Sequence, residues 1–246
     1  GAKHCISNLL HATINPGDEV IIPTPYWVSY PDMVLLAGGQ SVIVETNIEA
    51  DFKLTAAQLD QAITPKTRMV ILNSPSNPTG KAYTQDELQA LADVLLKNPH
   101  VLVATDDIYE HIYWGQEPLV NLVALCPELR DRVVIINGVS KAYAMTGWRI
   151  GFAAGPENII TAMRKIQSQG TSNPCSISQA AATAAYNGPQ DCLGEMKTAF
   201  KQRHDYLVAA LNELPGISCS EGNGAFYAFP DVSEAVAQLD GIEDDV

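Results

Sequence analysis

Six side chains in this chain are of types that together can handle an aldehyde. Lys141 and Arg149 stand eight positions apart in NGVSKAYAMTGWRIG (137–151), just after the apolar run VVII (133–136). Asp106 and Tyr109 lie in DDIYEH (106–111), Asn77 in SPSNPTG (74–80) and Trp27 in TPYW (24–27). Lysines are almost never fully buried unless paired, so Lys141 is either a solvated rim residue or a reactive amine. A lysine amine condenses with an aldehyde to give a Schiff base. An aldehyde carried on a pyridine ring needs a carboxylate at the ring nitrogen, so that the ring stays protonated and can act as an electron sink. The ring's phenolate oxygen needs donors, which an Asn amide and a Tyr hydroxyl supply. A phosphate on the same molecule needs an arginine and backbone N–H groups, best at a helix N-terminus. An indole can lie against the ring face.

Taken singly, each residue has a plainer reading. A lysine after a strand is usually solvated, and NPTG is a common turn with Pro and Gly in their normal places. Asp106 can cap the helix that follows it, Trp27 can be core, and Arg149 can pair with any carboxylate. Co-occurrence at the ends of successive apolar strands separates the two readings.

The elements that must bring these residues together are short apolar strands alternating with amphipathic helices. Strands are expected at 19–23, 41–45, 68–73, 101–105, 133–137 and 149–154. Helices are expected at 3–14, within 26–39, and at 55–63, 84–97, 157–168, 176–187 and 190–213. Thr55 is a plausible helix cap, and Thr84 with Glu87 forms an S/T-x-x-E capping box. This alternation predicts an α/β fold: a three-layer α/β/α large domain around a mostly parallel sheet buried on both faces. Sites in such sheets form beyond the carboxyl ends of the strands, where all six side chains fall. Residues 1–190 are assigned to this domain, and 191–246 to the start of a smaller α+β C-terminal domain with a strand-like AFYAF (225–229) followed by a helix.

A net charge of −13 argues against nucleic acid as a partner. Five scattered cysteines, with no CxxC and no Cys/His ligand spacing, indicate neither zinc nor a disulfide framework and fit reduced thiols in a cytoplasmic protein. His4, His11, His100, His111 and His204 share no ligand spacing either, so no metal site is expected. No apolar run approaches the ~18 residues of a membrane span. The chain begins at Gly1 without a methionine and ends in GIEDDV, and reads as a piece of a longer protein.

SPSNPTG, DDIYEH and SKAYAMTGWRIG, in that order, resemble the three signature blocks of the class I/II aminotransferases of the pyridoxal phosphate fold-type-I superfamily. PYWVSYPDMVLLAGG (25–39) further resembles the aspartate aminotransferase subgroup common in bacteria. The resemblance implies pyridoxal 5'-phosphate as cofactor and transamination of an amino acid, aspartate foremost, with a 2-oxo acid, 2-oxoglutarate foremost. It implies that Lys141 forms the Schiff base and then moves protons, and that Asp106, rather than Asp107, pairs with the ring nitrogen. Tyr109 and Asn77 would bond the phenolate oxygen and Trp27 would stack on the ring. Arg149 and the N–H groups of Ala2 and Lys3 would hold the phosphate, and Asn77 would also touch the substrate carboxylate, beside Trp27. A homodimer is implied as well, as are cis bonds at Thr24–Pro25 and Asn77–Pro78.

Two departures accompany the resemblance. Gly138 stands where many relatives carry a phosphate-binding serine. None of the six arginines sits in the C-terminal R-x-S context that binds the substrate carboxylate. Other enzymes on the same scaffold, such as β-lyases and aminotransferases of other specificity, share the cofactor residues. A cofactor-sensing domain of a transcription regulator is the non-enzymatic alternative.

Overall fold

The computed structural model describes residues 1–239. Residues 240–246, which the sequence reading places in the second domain, lie outside the described residues. Six strands form one sheet in the order β2-β1-β3-β4-β5-β6. They are β1 (Glu19–Pro23), β2 (Gln40–Val44), β3 (Thr67–Asn73), β4 (Leu102–Asp106), β5 (Val133–Asn137) and β6 (Phe152–Ala154). All pairings are parallel except β5–β6.

Alternating residues of the four inner strands, β1, β3, β4 and β5, feed two separate cores, which is why these strands read as continuous apolar runs. Val20, Ile22, Met69, Ile71, Val134 and Ile136 face α1 (Ala2–Thr13), α2 (Ser29–Leu36) and α6 (Glu157–Gly170). Ile21, Val70, Leu72, Val103 and Val133 face α3 (Ala56–Ala62) and α4 (Gln85–Lys97). The three-layer α/β/α architecture follows directly. Both predicted caps are complete capping boxes, Thr55 with Gln58 and Thr84 with Glu87. A short helix α5 (Leu122–Leu125) and a 3₁₀ turn over Pro127–Arg132 plug Leu122 and Leu129 into the second core. Sequence periodicity missed both, since each is shorter than the window that reveals a period.

Beyond α7 (Ser176–Asn187), the long helix α8 (Asp191–Asn212) leads to a two-stranded ladder, β7 (Ser218–Cys219) with β8 (Pro230–Asp231), and to α9 (Ser233–Val236).

Two expected strands differ. The strand expected over 149–154 is confined to Phe152–Ala154. Arg149 is left-handed at φ 56° and closes a 3₁₀ turn, and Gly151 packs against the backbone of Gly1 and Ala2. AFYAF is not a strand: Ala225 sits at φ 59°, and only Pro230–Asp231 pairs with Ser218–Cys219. Cis bonds occur at Thr24–Pro25 and Asn77–Pro78, as expected, and also at Ser74–Pro75.

Candidate cofactor site

The register of the sheet sets the site. Asn73 at the end of β3 pairs with Asp106 at the end of β4, and Asp106 pairs with Ile136 of β5. The loops leaving these three strands therefore open at one level, and the N-terminus of α1 and the loop before α2 close the rim. The cavity among them has a volume of about 210 Å³. Its lining includes every residue singled out in the sequence: Ala2, Lys3, Trp27, Asn77, Asp106, Tyr109, Lys141 and Arg149. Tyr30, Asn73 and Tyr227 line it too.

Asp106 is the least ordinary group. It is 5% exposed; Oδ2 accepts a 2.7 Å hydrogen bond from the Tyr30 hydroxyl, while Oδ1 has no partner among the described residues. An unpartnered buried carboxylate oxygen carries its full desolvation cost. Burial accordingly pushes the Asp106 carboxyl up to about 6, against the pull of the Tyr30 hydroxyl, of the Ile108 backbone N–H and, more weakly, of the Lys141 charge. Asp107 faces elsewhere, into a separate cavity of about 50 Å³ shared with Thr105, Glu110 and Asn121, and bonds the Asn121 amide. Burial pushes it to about 7.

Lys141 is half-buried. Its Nζ lies 5.7 Å from the centroid of the Tyr109 ring and 5.2 Å from that of Phe226. Burial lowers its pKa, Asp106 raises it, and the Arg149 charge lowers it again. A larger neutral fraction makes the amine a better nucleophile. Tyr109 is itself buried, and that burial raises its pKa, so the phenol keeps its proton as a donor. Its hydroxyl lies 2.7 Å from that of Tyr227.

Arg149 is exposed at the mouth, where Nη1 donates to the Thr146 carbonyl at 2.7 Å. Beside it α1 begins without a side-chain cap and without an acidic residue in its first turn, leaving amides and helix dipole open to an anion. Lys3 adds a second cation, 4.7 Å from the Trp27 ring centroid. Gly138 is explained by packing. A Cβ there would lie 2.8 Å from Gly151 Cα and 2.8 Å from the Ile150 carbonyl oxygen, so this backbone has no room for a serine.

Asn residues at the strand ends tie the loops together. Asn73 Nδ2 donates to the Asp106 carbonyl and Asn73 Oδ1 accepts from the Asn77 amide, both at 2.7 Å. Asn137 Nδ2 donates to Glu110 Oε1 at 2.7 Å, and its Oδ1 accepts from the Gly138 amide. Among the described residues no group of three or more His, Cys, Asp or Glu could hold a metal ion, and no helix is long and apolar enough to cross a membrane.

The family model for aminotransferase class I and II matches residues 1–240, and the chain belongs to that family. An aspartate/prephenate aminotransferase of Nitrosomonas europaea is 57% identical over 239 residues, covering 97% of this chain and 60% of that protein. The aspartate aminotransferase of Geobacillus stearothermophilus is 53% identical over 237 residues, covering 96% and 60%. Among solved structures, the aspartate aminotransferase of Rhizobium meliloti matches with a TM-score of 0.94 at 50% identity, covering 96% of this chain and 59% of that one. The chain thus spans about 60% of the length of the curated relatives it matches. Aminotransferases of this type depend on pyridoxal phosphate. The residues present fit that group: the orphaned Asp106 oxygen lacks only an N–H donor, an amine shares its cavity, and an uncapped helix end with an arginine stands at the mouth.

Proposed function

We propose that the full-length protein is a pyridoxal phosphate-dependent aminotransferase that passes the amino group of aspartate to 2-oxoglutarate. The observation that carries this reading is the buried, half-satisfied Asp106 carboxylate sharing one cavity with the Lys141 amine. When bound, the cofactor supplies an aldehyde and an electron-withdrawing ring. Asp106 Oδ1 accepts the ring N–H and keeps the ring cationic. Tyr109 and Asn77 donate to the phenolate oxygen, and Trp27 covers one ring face. The Ala2 and Lys3 amides and Arg149 hold the phosphate. Lys141 Nζ, once displaced by substrate, carries the proton from the substrate α-carbon, and Asn77 with Trp27 borders the substrate carboxylate. Residues 1–190 form the cofactor domain, 191–246 begin a smaller one, and the protein works in the cytoplasm as a homodimer. Leu35 and Leu36 of α2, 72% and 75% exposed, support a subunit contact.

Reducing the protein with borohydride in the presence of pyridoxal phosphate should label Lys141 alone. A label elsewhere, or none on folded protein, sinks the cofactor assignment. Oxaloacetate formation from aspartate with 2-oxoglutarate as the sole acceptor tests the substrate pair. Prephenate in place of 2-oxoglutarate is the second reading, favoured by the name of the Nitrosomonas europaea relative. Release of pyruvate and ammonia from cysteine conjugates, without oxaloacetate formation, would instead mark a β-lyase.

A further inference from the structure

We propose that Tyr227 is a positioning residue for the cofactor's phenolate oxygen, acting through Tyr109. This rests on the reading of the cavity given above. The Tyr109 and Tyr227 hydroxyls are 2.7 Å apart, and both residues line the cavity. One hydrogen bond between two phenols uses one proton, so its direction decides what is left for the ring. The phenolate is an anion, and a bond to it is roughly twice as strong as a neutral one. Tyr109 therefore turns its proton to the ring, its own oxygen becomes the acceptor, and Tyr227 donates to it. An oxygen that accepts a hydrogen bond becomes a stronger donor in turn.

Tyr227 is fixed for this task by the backbone around it. Asn223 and Gly224 amides donate to the Gly80 carbonyl at 3.0 and 2.9 Å, and the Ala225 amide donates to the Ile112 carbonyl at 2.8 Å. The positive φ of Ala225 then turns the chain inward. Phe226 packs on both tyrosines, with ring centroids 5.5 Å from Tyr109 and 4.8 Å from Tyr227. Tyr227 thus lends the irregular C-terminal segment a part in the electronics of a ring held by strand ends.

The test is a pH titration of the bound cofactor's visible absorption in the full-length protein, comparing wild type, Tyr109→Phe, Tyr227→Phe and the double variant. A donor to the ring oxygen stabilises its negative charge most once the lysine-linked nitrogen has lost its proton, so a weaker donor raises the midpoint. Tyr227→Phe keeps the packed ring and should raise the midpoint by about 0.1–0.6 pH unit, as expected for a charged bond weakened by about 10–30%. Tyr109→Phe should raise it further, and Tyr227→Phe should then add nothing. An unchanged or lowered midpoint in Tyr227→Phe overturns the proposal, as does an equal shift in the Tyr109→Phe background. A wild type with no visible band and no borohydride label overturns the underlying cofactor reading as well.

Discussion

The two walls of the cavity are built on different principles. One is the carboxyl rim of the sheet, where Asn77, Asp106 and Lys141 leave parallel strands whose two faces are buried. The other is the irregular stretch 222–227, held by two backbone bonds to the Gly80 carbonyl, by one each with Ile112 and Trp114, and by side chains that grip Gly222. The rim is stiff because its central strand end, Asp106, is tied on both sides, to Asn73 of β3 and Ile136 of β5. The opposite wall is fixed at a few points, so it can tune the site at little cost to the fold. If Lys141, Asp106 and Tyr227 act as proposed, the catalytic groups stand on the first wall and the modulating one on the second.

The largest effect expected is on the rim. Lys141→Ala should lower transamination by the roughly 10²–10⁴-fold of a lost acid/base, with further loss of the covalent link. Borohydride trapping should vanish while cofactor still binds. Retention of a covalent label would break the division between the walls.

Asp106→Asn sharpens it through pH. In the cofactor-free protein burial raises this carboxyl from 3.8 to about 6. A carboxyl raised in the folded state is easier to protonate there than in the unfolded chain. Its favourable contribution is therefore complete below about 3.8 and lost as pH rises through about 6. Over that window wild type should lose about 3 kcal/mol more than Asp106→Asn, in which the buried Asp107, raised to about 7, still titrates, as read by denaturant unfolding. If the bound ring N–H pairs with this carboxylate as proposed, its cation lowers the Asp106 pKa and this loss in wild type should disappear on adding cofactor.

Gly138→Ser comes next. It restores the residue many relatives carry, yet its Cβ meets the Gly151 and Ile150 backbone. A loss of about 1–3 kcal/mol of stability with no gain in cofactor affinity is expected. A tighter-binding, equally stable variant would show that the rim is softer than its packing implies.

The smallest effect belongs to the second wall. Trp114→Phe removes the 3.0 Å bond from Nε1 to the Gly222 carbonyl and should cost about 1 kcal/mol, a fall of about 2–4 °C in melting temperature for a chain of this size. The rim chemistry, read by borohydride labelling of Lys141, should be unchanged.

The first wall was legible in the sequence because strand ends announce themselves: an apolar run stops and polar residues begin, as in RMVILN before SPSNPTG. Lys141, Asp106, Asn77 and Tyr109 all follow such a break. Tyr30 escaped because it lies on the buried face of α2, where a phenol reads as core, and only the fold shows its hydroxyl on Asp106. Asn73 escaped as the last residue of a strand with no periodicity of its own. Tyr227 escaped for the opposite reason. AFYAF looks like a strand, and a left-handed alanine, rare outside glycine, gives no sequence signal for the turn that points it inward. The shortened β6 has the same origin, a left-handed Arg149 that no pattern marks.

The peptide at Gly222 has a mechanical consequence. Its N–H is held by His204 Nε2 on α8 and its carbonyl by Trp114, each at 3.0 Å. A helix of 22 residues is thereby joined, through one glycine, to a segment whose fifth residue further on is the phenol lining the site. A tilt of α8 would pull first on Gly222, while the bonds of Asn223, Gly224 and Ala225 to Gly80 and Ile112 stand between that pull and Tyr227. The segment thus works as a strain relief, letting the long helix shift without disturbing the phenol pair.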